Sequence, residues 1–252
     1  MSIALQSAGF SYPGSAPALR DISLEVPSGD FLLVTGHNGA GKSSLLRLLN
    51  GMLKPNTGCI LIDGRDTKTT PVSSLAPVVS VTFQHPGDQI FASTVFDEVR
   101  FGPRQLHRPD PDRDCREALV LLGLESFSSS HPYDLSPANR KLLTIASAVA
   151  SGSPYLAFDE PTVNLSQPER VKLSSMLHRL GDAGRSFIIV SHDLEFFLPI
   201  AKRILLLHAG RISFLGDRRD IQRYENLARK AGVRLPHSFR LRPHVGLPLL
   251  PD

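Results

Sequence analysis

The feature that most constrains this 252-residue chain is a glycine-rich octapeptide, Gly36-His37-Asn38-Gly39-Ala40-Gly41-Lys42-Ser43. It matches the pattern G-x-x-x-x-G-K-[ST], whose backbone N–H groups surround phosphate oxygens while the lysine reaches the β- and γ-phosphates. An apolar run at residues 31–35 precedes it, and a segment with helical apolar spacing follows at residues 44–51. A buried strand, a glycine loop and a helix thus stand in the order that a nucleotide-binding loop requires. The candidate phosphate-binding residues are Gly36, His37, Asn38, Gly39, Ala40, Gly41, Lys42, Ser43 and Ser44.

Two adjacent carboxylates follow a second apolar strand, predicted at residues 153–158. Because neighbouring side chains on a strand point to opposite sides, we expect Asp159 and Glu160 to have different roles. Asp159 suits the Mg²⁺ shell beside the Ser43 hydroxyl, and Glu160 suits polarising the water that attacks a γ-phosphate.

A third apolar strand, predicted at residues 186–190, ends in Ser191-His192-Asp193. This position would bring His192 close to the γ-phosphate. The base-reading Asn-Lys-x-Asp of GTPases is absent from the sequence. The pattern therefore favours ATP hydrolysis.

The order of these motifs resembles the ATP-binding subunits of ABC transporters, over residues from about 3 to 245. The resemblance also identifies an aromatic residue ahead of the loop, Tyr12, a Q-loop glutamine, Gln84, and a signature that begins at Leu135-Ser136. It implies that Tyr12 stacks on adenine and that Ser136 contacts the ATP of a partner subunit. It further implies a catalytic set of Lys42, Gln84, Glu160 and His192, and a metal set of Ser43, Gln84 and Asp159.

The resemblance implies an α/β fold, that of a P-loop NTPase of the ABC type with a RecA-like core, an antiparallel β subdomain and a helical subdomain. We expect an ATPase domain at residues 1–216, with its helical subdomain at about 88–150, and a basic C-terminal extension at 217–252. Helices are predicted at 112–122, 137–150 and 167–180, and antiparallel strands near 3–5, 22–26 and 60–62.

Two segments resemble a narrower group, the energy-coupling-factor (ECF) and cobalt-type importers. They are Phe83–Pro103, which contains the Q-loop, and Asn226–Pro236, which follows the ATPase core. This resemblance implies a pair of ATPase subunits on one integral membrane scaffold protein, with a separate membrane protein that captures a vitamin or a metal ion. It also implies a peripheral location on the cytoplasmic face of the cell membrane.

Two elements depart from the family pattern. The signature Leu-Ser-Gly-Gly-Gln reads Leu135-Ser136-Pro137-Ala138-Asn139, and the D-loop that usually ends in Leu-Asp reads Leu165-Ser166. Both changes are compatible with helix formation, since Ser136 and Ser166 are good N-caps and Pro137 occupies the first helical position. Proline, however, has no N–H to offer a phosphate. Because both elements act on a partner's nucleotide, the hypothesis is a heterodimer with a second, different ATPase subunit, although a homodimer stays possible.

The charge is balanced through most of the chain. The total is 28 − 24 = +4, and the excess lies in residues 217–252, which carry 8 basic and 4 acidic residues against 20 of each before them. A neutral body argues against a nucleic-acid partner, because such proteins concentrate basic residues on one face. Apolar runs fall short of the roughly 18 to 20 residues that cross a bilayer.

Two further readings stay open at this point. One is a soluble ABC-type ATPase that works on a cytosolic assembly such as iron–sulfur biogenesis, without a membrane partner. The other is a regulatory nucleotide-binding subunit that switches interactions rather than turning over productively.

Overall fold

The computed structural model of the chain describes residues 1–236. The strands are β1 Ser2–Ser11, β2 Pro17–Pro27, β3 Phe31–Thr35, β4 Thr57–Ile62, β5 Arg65–Asp66, β6 Val79–Thr82, β7 Tyr155–Asp159, β8 Ser186–Val190, β9 Arg203–His208 and β10 Arg211–Asp217. The α-helices are α1 Lys42–Leu49, α2 Val72–Leu75, α3 Val95–Gln105, α4 Pro111–Leu121, α5 Pro137–Ala150, α6 Gln167–Asp182, α7 Leu194–Phe197 and α8 Glu225–Lys230.

The larger sheet has six strands in the order β10-β9-β3-β8-β7-β6, and all its neighbours run parallel except β10 and β9. Every residue of β3, β7 and β8 is buried, as is typical of parallel strands covered on both faces. The carboxyl ends of these three strands meet at one edge of the sheet. The glycine loop, the two carboxylates and the strand-terminal histidine therefore come together.

The smaller sheet is antiparallel, in the order β2-β1-β4-β5, and lies on the other side of α1 from the larger sheet's central strands. The leucines of α1 (Leu45, Leu46, Leu48 and Leu49) are fully buried in a core shared by both sheets. The Tyr155 hydroxyl on β7 joins the sheets further by donating to the carbonyls of Met1, at 3.1 Å, and Val26, at 3.2 Å. The predicted antiparallel strands are confirmed, and β1 and β2 are longer than their apolar patterns indicated.

Helices α3, α4 and α5 pack together in a second core that continues to the other face of the larger sheet. The α4 stripe of Cys115, Ala118 and Leu119 is buried there. The predicted helices are confirmed within two residues at either end. The fold class is likewise confirmed.

The chain continues after β10 as a 3₁₀ segment, Arg218–Tyr224, and then α8. The division at residue 216 and the subdomain limits of 88–150 stay predictions. Residues 237–252 of the predicted basic extension lie outside the described residues. No helix within residues 1–236 is long and apolar enough to cross a membrane.

Candidate nucleotide-binding site

An open cleft of about 620 Å³ lies at the carboxyl edge of the larger sheet. The predicted site residues that line it are Tyr12, Asn38, Gly39, Gly41, Lys42, Ser43, Ser44, Gln84, Asp159, Glu160 and His192, joined by Ala18 and Val163. Four other candidates lie outside its lining: Gly36, His37, Ala40 and Ser136. The structure therefore brings together every candidate that was predicted to touch the metal or the reacting phosphate within one chain.

The glycine loop is tightly held by its surroundings at two positions. A Cβ at Gly36 would lie 2.1 Å from the Leu207 carbonyl oxygen at the end of β9. Gly41 has a φ of +105°, and a Cβ there would lie 2.5 Å from the Ala18 carbonyl oxygen on β2. Only glycine fits at either position, so these residues shape the loop whether or not they touch a ligand.

The outer side of the loop contacts the C-terminal part of the chain through His37. Its backbone N–H donates to the Ala231 carbonyl at 2.9 Å, and its ring packs edge-on against His208 at 5.2 Å between centroids. This explains why His37 does not line the cleft.

Lys42 begins α1 and lies across the loop. Its ammonium donates to the carbonyls of Gly36, at 2.7 Å, and His37, at 3.0 Å. Burial lowers the pKa of Lys42, and the nearby Glu160 and Asp159 carboxylates oppose that change. The positive charge is thus placed between the loop and the two acids.

Two oxygen donors meet where the loop becomes α1. The Ser43 hydroxyl donates to the Asp159 carboxylate at 2.8 Å, and the Asp159 side chain is buried. Gln84 lines the same cleft. Hydroxyl, carboxylate and amide oxygens are hard ligands that fit Mg²⁺.

Glu160 differs from the expected strand geometry. Strand β7 ends at Asp159, and Glu160 has a φ of +47°, which turns its side chain away from the alternation of the strand. Both carboxylates consequently line one cleft, although the sequence predicted opposite directions. A non-glycine residue in this backbone region is uncommon and is often associated with functional sites.

The end of β8 holds the Glu160 carboxylate. One oxygen accepts from the Ser191 hydroxyl, at 3.1 Å, and from the His192 N–H, at 3.3 Å, while His192 Nε2 lies 3.5 Å from the other oxygen. Burial raises the pKa of Glu160, and the hydrogen bonds from His192 and Ser191 offset part of that rise. Burial and the Lys42 charge lower the pKa of His192, so its imidazole is neutral near pH 7. The contact with Glu160 is therefore not an ion pair.

Tyr12 lies at the rim of the cleft. Its hydroxyl shares a 3.2 Å hydrogen bond with the Ser44 hydroxyl, and its ring packs edge-on against Phe10. The ring is about one-third exposed, which leaves a face open to a planar ligand.

The signature and the D-loop each lead into a helix that begins at the predicted N-cap serine. The Ser136 hydroxyl accepts the Asn139 N–H at 3.1 Å, with Pro137 at the first position of α5. The Ser166 N–H donates to the Glu169 carboxylate at 3.0 Å at the start of α6. Ser136 is exposed, as a contact with another subunit requires.

Two residues near the site were not predicted from the sequence to have a role. Ser191 was quoted but given no role, and Lys141 was not singled out. The only signal for Lys141 was a charged residue just before a largely apolar segment, residues 142–150, in a predicted helix.

A parallel sheet with a glycine loop, a paired hydroxyl and carboxylate, and a buried glutamate define a P-loop ATPase. The family model "ABC transporter" matches residues 19–163, more than half of the chain. The chain therefore belongs to the ABC transporter family of ATP-binding proteins, whose members hydrolyse ATP.

Individual relatives agree with this assignment. A putative ABC transporter ATP-binding protein of Pyrococcus furiosus is 36% identical over 88% of each chain. The energy-coupling factor transporter ATP-binding protein EcfA of Methanothermobacter thermautotrophicus is 35% identical over 95% of this chain and 78% of its own length.

Among solved structures, cbiO1 of Clostridium perfringens, part of the ABC transporter complex cbiONQ, superposes with a TM-score of 0.79. It is 25% identical and the match covers 97% of this chain and 98% of that chain. The resemblance to ECF and cobalt-type ATPases that the sequence indicated is confirmed.

Proposed function

We propose that this chain is the ATP-hydrolysing subunit of an ECF or cobalt-type importer and powers uptake of a vitamin or a transition-metal ion. The observation that carries the catalytic part is the Glu160 carboxylate, held by Ser191 and His192 in the cleft that also contains Lys42. The relatives named EcfA and cbiO1 support the transport part.

Residues 36–44 would surround the phosphates of ATP, with Lys42 at the β- and γ-phosphates and Tyr12 against the adenine. Ser43, Asp159 and Gln84 would hold Mg²⁺, which when bound neutralises charge on the phosphates.

Glu160 is suited to orient the attacking water and to accept its proton. Burial raises its pKa, which makes the carboxylate a stronger base than that of an ordinary glutamate. The neutral His192 ring can donate one N–H to the γ-phosphate. Water then forms the new bond to the γ-phosphorus as the bond to the ADP oxygen breaks.

A groove lined by residues of β6, α3 and α5 would dock the membrane scaffold. It has a volume of about 340 Å³ and its apolar lining includes Phe91 and Phe101, whose rings pack edge-on at 4.8 Å and are 64% and 45% exposed. Exposed aromatic pairs of this kind are typical of protein interfaces. An apolar helix segment of an integral membrane protein would cover them.

The groove is connected to the Q-loop through side chains. Buried Glu98 accepts the N–H groups of Phe91, at 3.0 Å, and Ala92, at 2.8 Å. Gln89 in the groove lining accepts the Phe83 N–H at 2.9 Å and donates to the Val81 carbonyl. Movement of a bound helix would therefore displace the backbone next to Gln84.

The other partners follow from the proposed transporter class. A second ATPase subunit with a complete signature would complete the site at Lys42 and Glu160, because this chain's own signature has lost a phosphate donor at Pro137. A separate membrane protein would capture the substrate. The chain would act on the cytoplasmic face of the cell membrane as a peripheral subunit.

Co-expression with a candidate scaffold and a second ATPase subunit tests the proposal. ATP hydrolysis by the purified complex should fall about 10²–10⁴-fold in Glu160→Gln, since that is the range of general-base contributions. The matched control Glu195→Gln, on the exposed surface of α7, should keep wild-type activity.

Retained bound ATP in Glu160→Gln would accompany the loss. Unchanged hydrolysis would refute the role of Glu160. Purification without any integral membrane protein would instead favour the soluble ATPase, and a single burst without steady-state turnover would favour the regulatory subunit.

A further inference from the structure

Lys141, on the second turn of α5, is a buried lysine whose side chain makes three hydrogen bonds. It is 1% exposed, and its ammonium donates to the carbonyl oxygens of Phe83, at 3.1 Å, Gln84, at 3.0 Å, and Asp159, at 3.0 Å. An ammonium has three N–H donors, so all of them are used. The charge is thus fully satisfied by backbone.

Burial of an ammonium is unfavourable unless hydrogen bonds and opposite charges compensate. Burial lowers the pKa of Lys141 to about 8, and the carboxylates of Asp159 and Glu160 oppose that change. A methionine would fill similar space without this cost. Packing alone therefore does not explain a lysine at this position.

The three carbonyls belong to two segments that are not hydrogen-bonded to each other as part of the β6–β7 pairing. Pairing between β6 and β7 ends at Thr82 and Phe158. Phe83, Gln84 and Asp159 lie just beyond that last pair. Lys141 continues the connection between the two strands where their own hydrogen bonds stop.

These segments are also the ones with predicted roles in the site. Gln84 and Asp159 are the proposed metal-binding residues, and Glu160 follows Asp159 directly. Helix α5, which carries Lys141, begins at the signature residue Ser136. One ammonium thus joins the Q-loop, the Asp159–Glu160 segment and the first turns of the helix that begins at the signature.

We propose that Lys141 is a positioning residue that fixes the Q-loop and the Asp159–Glu160 segment relative to α5. It touches no substrate and acts through the carbonyls that it binds. Closure of the signature onto a partner's ATP would be transmitted along α5 to the Mg²⁺ and water positions of this chain's own site. This inference rests on the ATPase function proposed above.

The test compares Lys141→Met with Lys172→Met, a matched loss of one lysine from the partly exposed side of α6. The full-length chain is assayed for Mg-ATP binding and steady-state hydrolysis, alone and with its co-purified partners. Lys141→Met should lower kcat at least tenfold with KM for ATP changed less than threefold, whereas Lys172→Met should match wild type. A purely structural role would lower kcat only in proportion to the folded fraction.

A folded Lys141→Met with wild-type kcat would overturn the positioning role. Failure of the wild-type protein to hydrolyse ATP in any assembly would instead refute the proposed function.

Discussion

The Ser43 hydroxyl donates to the Asp159 carboxylate at 2.8 Å, although the two residues are 116 positions apart in the chain. The bond joins the start of α1 to the end of β7 at the carboxyl edge of the sheet. Both oxygens are those that the sequence assigned to Mg²⁺, and their proximity makes the metal set directly testable.

Asp159→Asn should weaken Mg-ATP binding at least ~10-fold and abolish hydrolysis, because a neutral amide cannot balance the charge of the ion. Isothermal titration with ATP, with and without Mg²⁺, measures the difference. Asp63→Asn, an exposed turn residue with a φ of +50° that asparagine tolerates, is the control. Equal Mg²⁺ dependence in Asp159→Asn and wild type would exclude Asp159 from the metal set.

Ser191→Ala should move the acidic limb of the pH–rate profile to higher pH. The Ser191 hydroxyl favours the ionised form of Glu160, so its removal raises the pKa of Glu160 further. Glu160 must be ionised to accept a proton. In Ser191→Ala it would become protonated at a higher pH than in the wild-type protein. Since a hydrogen bond to a charged group contributes about 1.5–3 kcal/mol, the rate at acidic pH should fall roughly tenfold. An unshifted limb would show that another group controls it.

Restoring the family signature should raise hydrolysis by the isolated chain. The change is Pro137→Gly, Ala138→Gly and Asn139→Gln, which returns an N–H donor and removes a Cβ near the phosphate. Two glycines in the first turn should cost about 1–2 kcal/mol of helix stability, so the melting temperature is measured alongside. Adding Ser136→Ala should remove the gain. If the restored signature has no effect, the altered signature does not limit turnover in the isolated chain.

Phe91→Ala should reduce co-purification with the membrane scaffold while ATP binding and melting temperature stay near wild type. Phe91 is 64% exposed, so its truncation removes little buried area from the folded chain. Val171→Ala, on α6 and 59% exposed, removes a similarly exposed apolar side chain elsewhere. Equal scaffold recovery with both variants would place the docking surface outside this groove.

Much of the fold could be predicted because its signals are local. The apolar runs of β3, β7 and β8 and the loop between β3 and α1 are each contained in a few consecutive residues. The alternation argument for Glu160 was wrong because a left-handed backbone at one residue overrides strand geometry, and nothing in Asp159-Glu160-Pro161 specifies that turn.

The roles of Lys141, Glu98 and Gln89 could not be predicted for a different reason. Each side chain binds backbone groups, which have no residue-specific signature in the sequence. The Lys141 acceptors lie 58, 57 and 18 positions away. Only the packing of α5 against β6 and β7 brings them within reach.

The two glycines that admit no side chain have a thermodynamic consequence for ligand affinity. Gly36 packs closely against the Leu207 carbonyl and Gly41 against the Ala18 carbonyl. Both ends of the loop are therefore held in position before a phosphate binds. A preorganised loop loses little conformational entropy on binding. We therefore expect ATP association with this loop to be governed by desolvation and charge, with a small ordering cost.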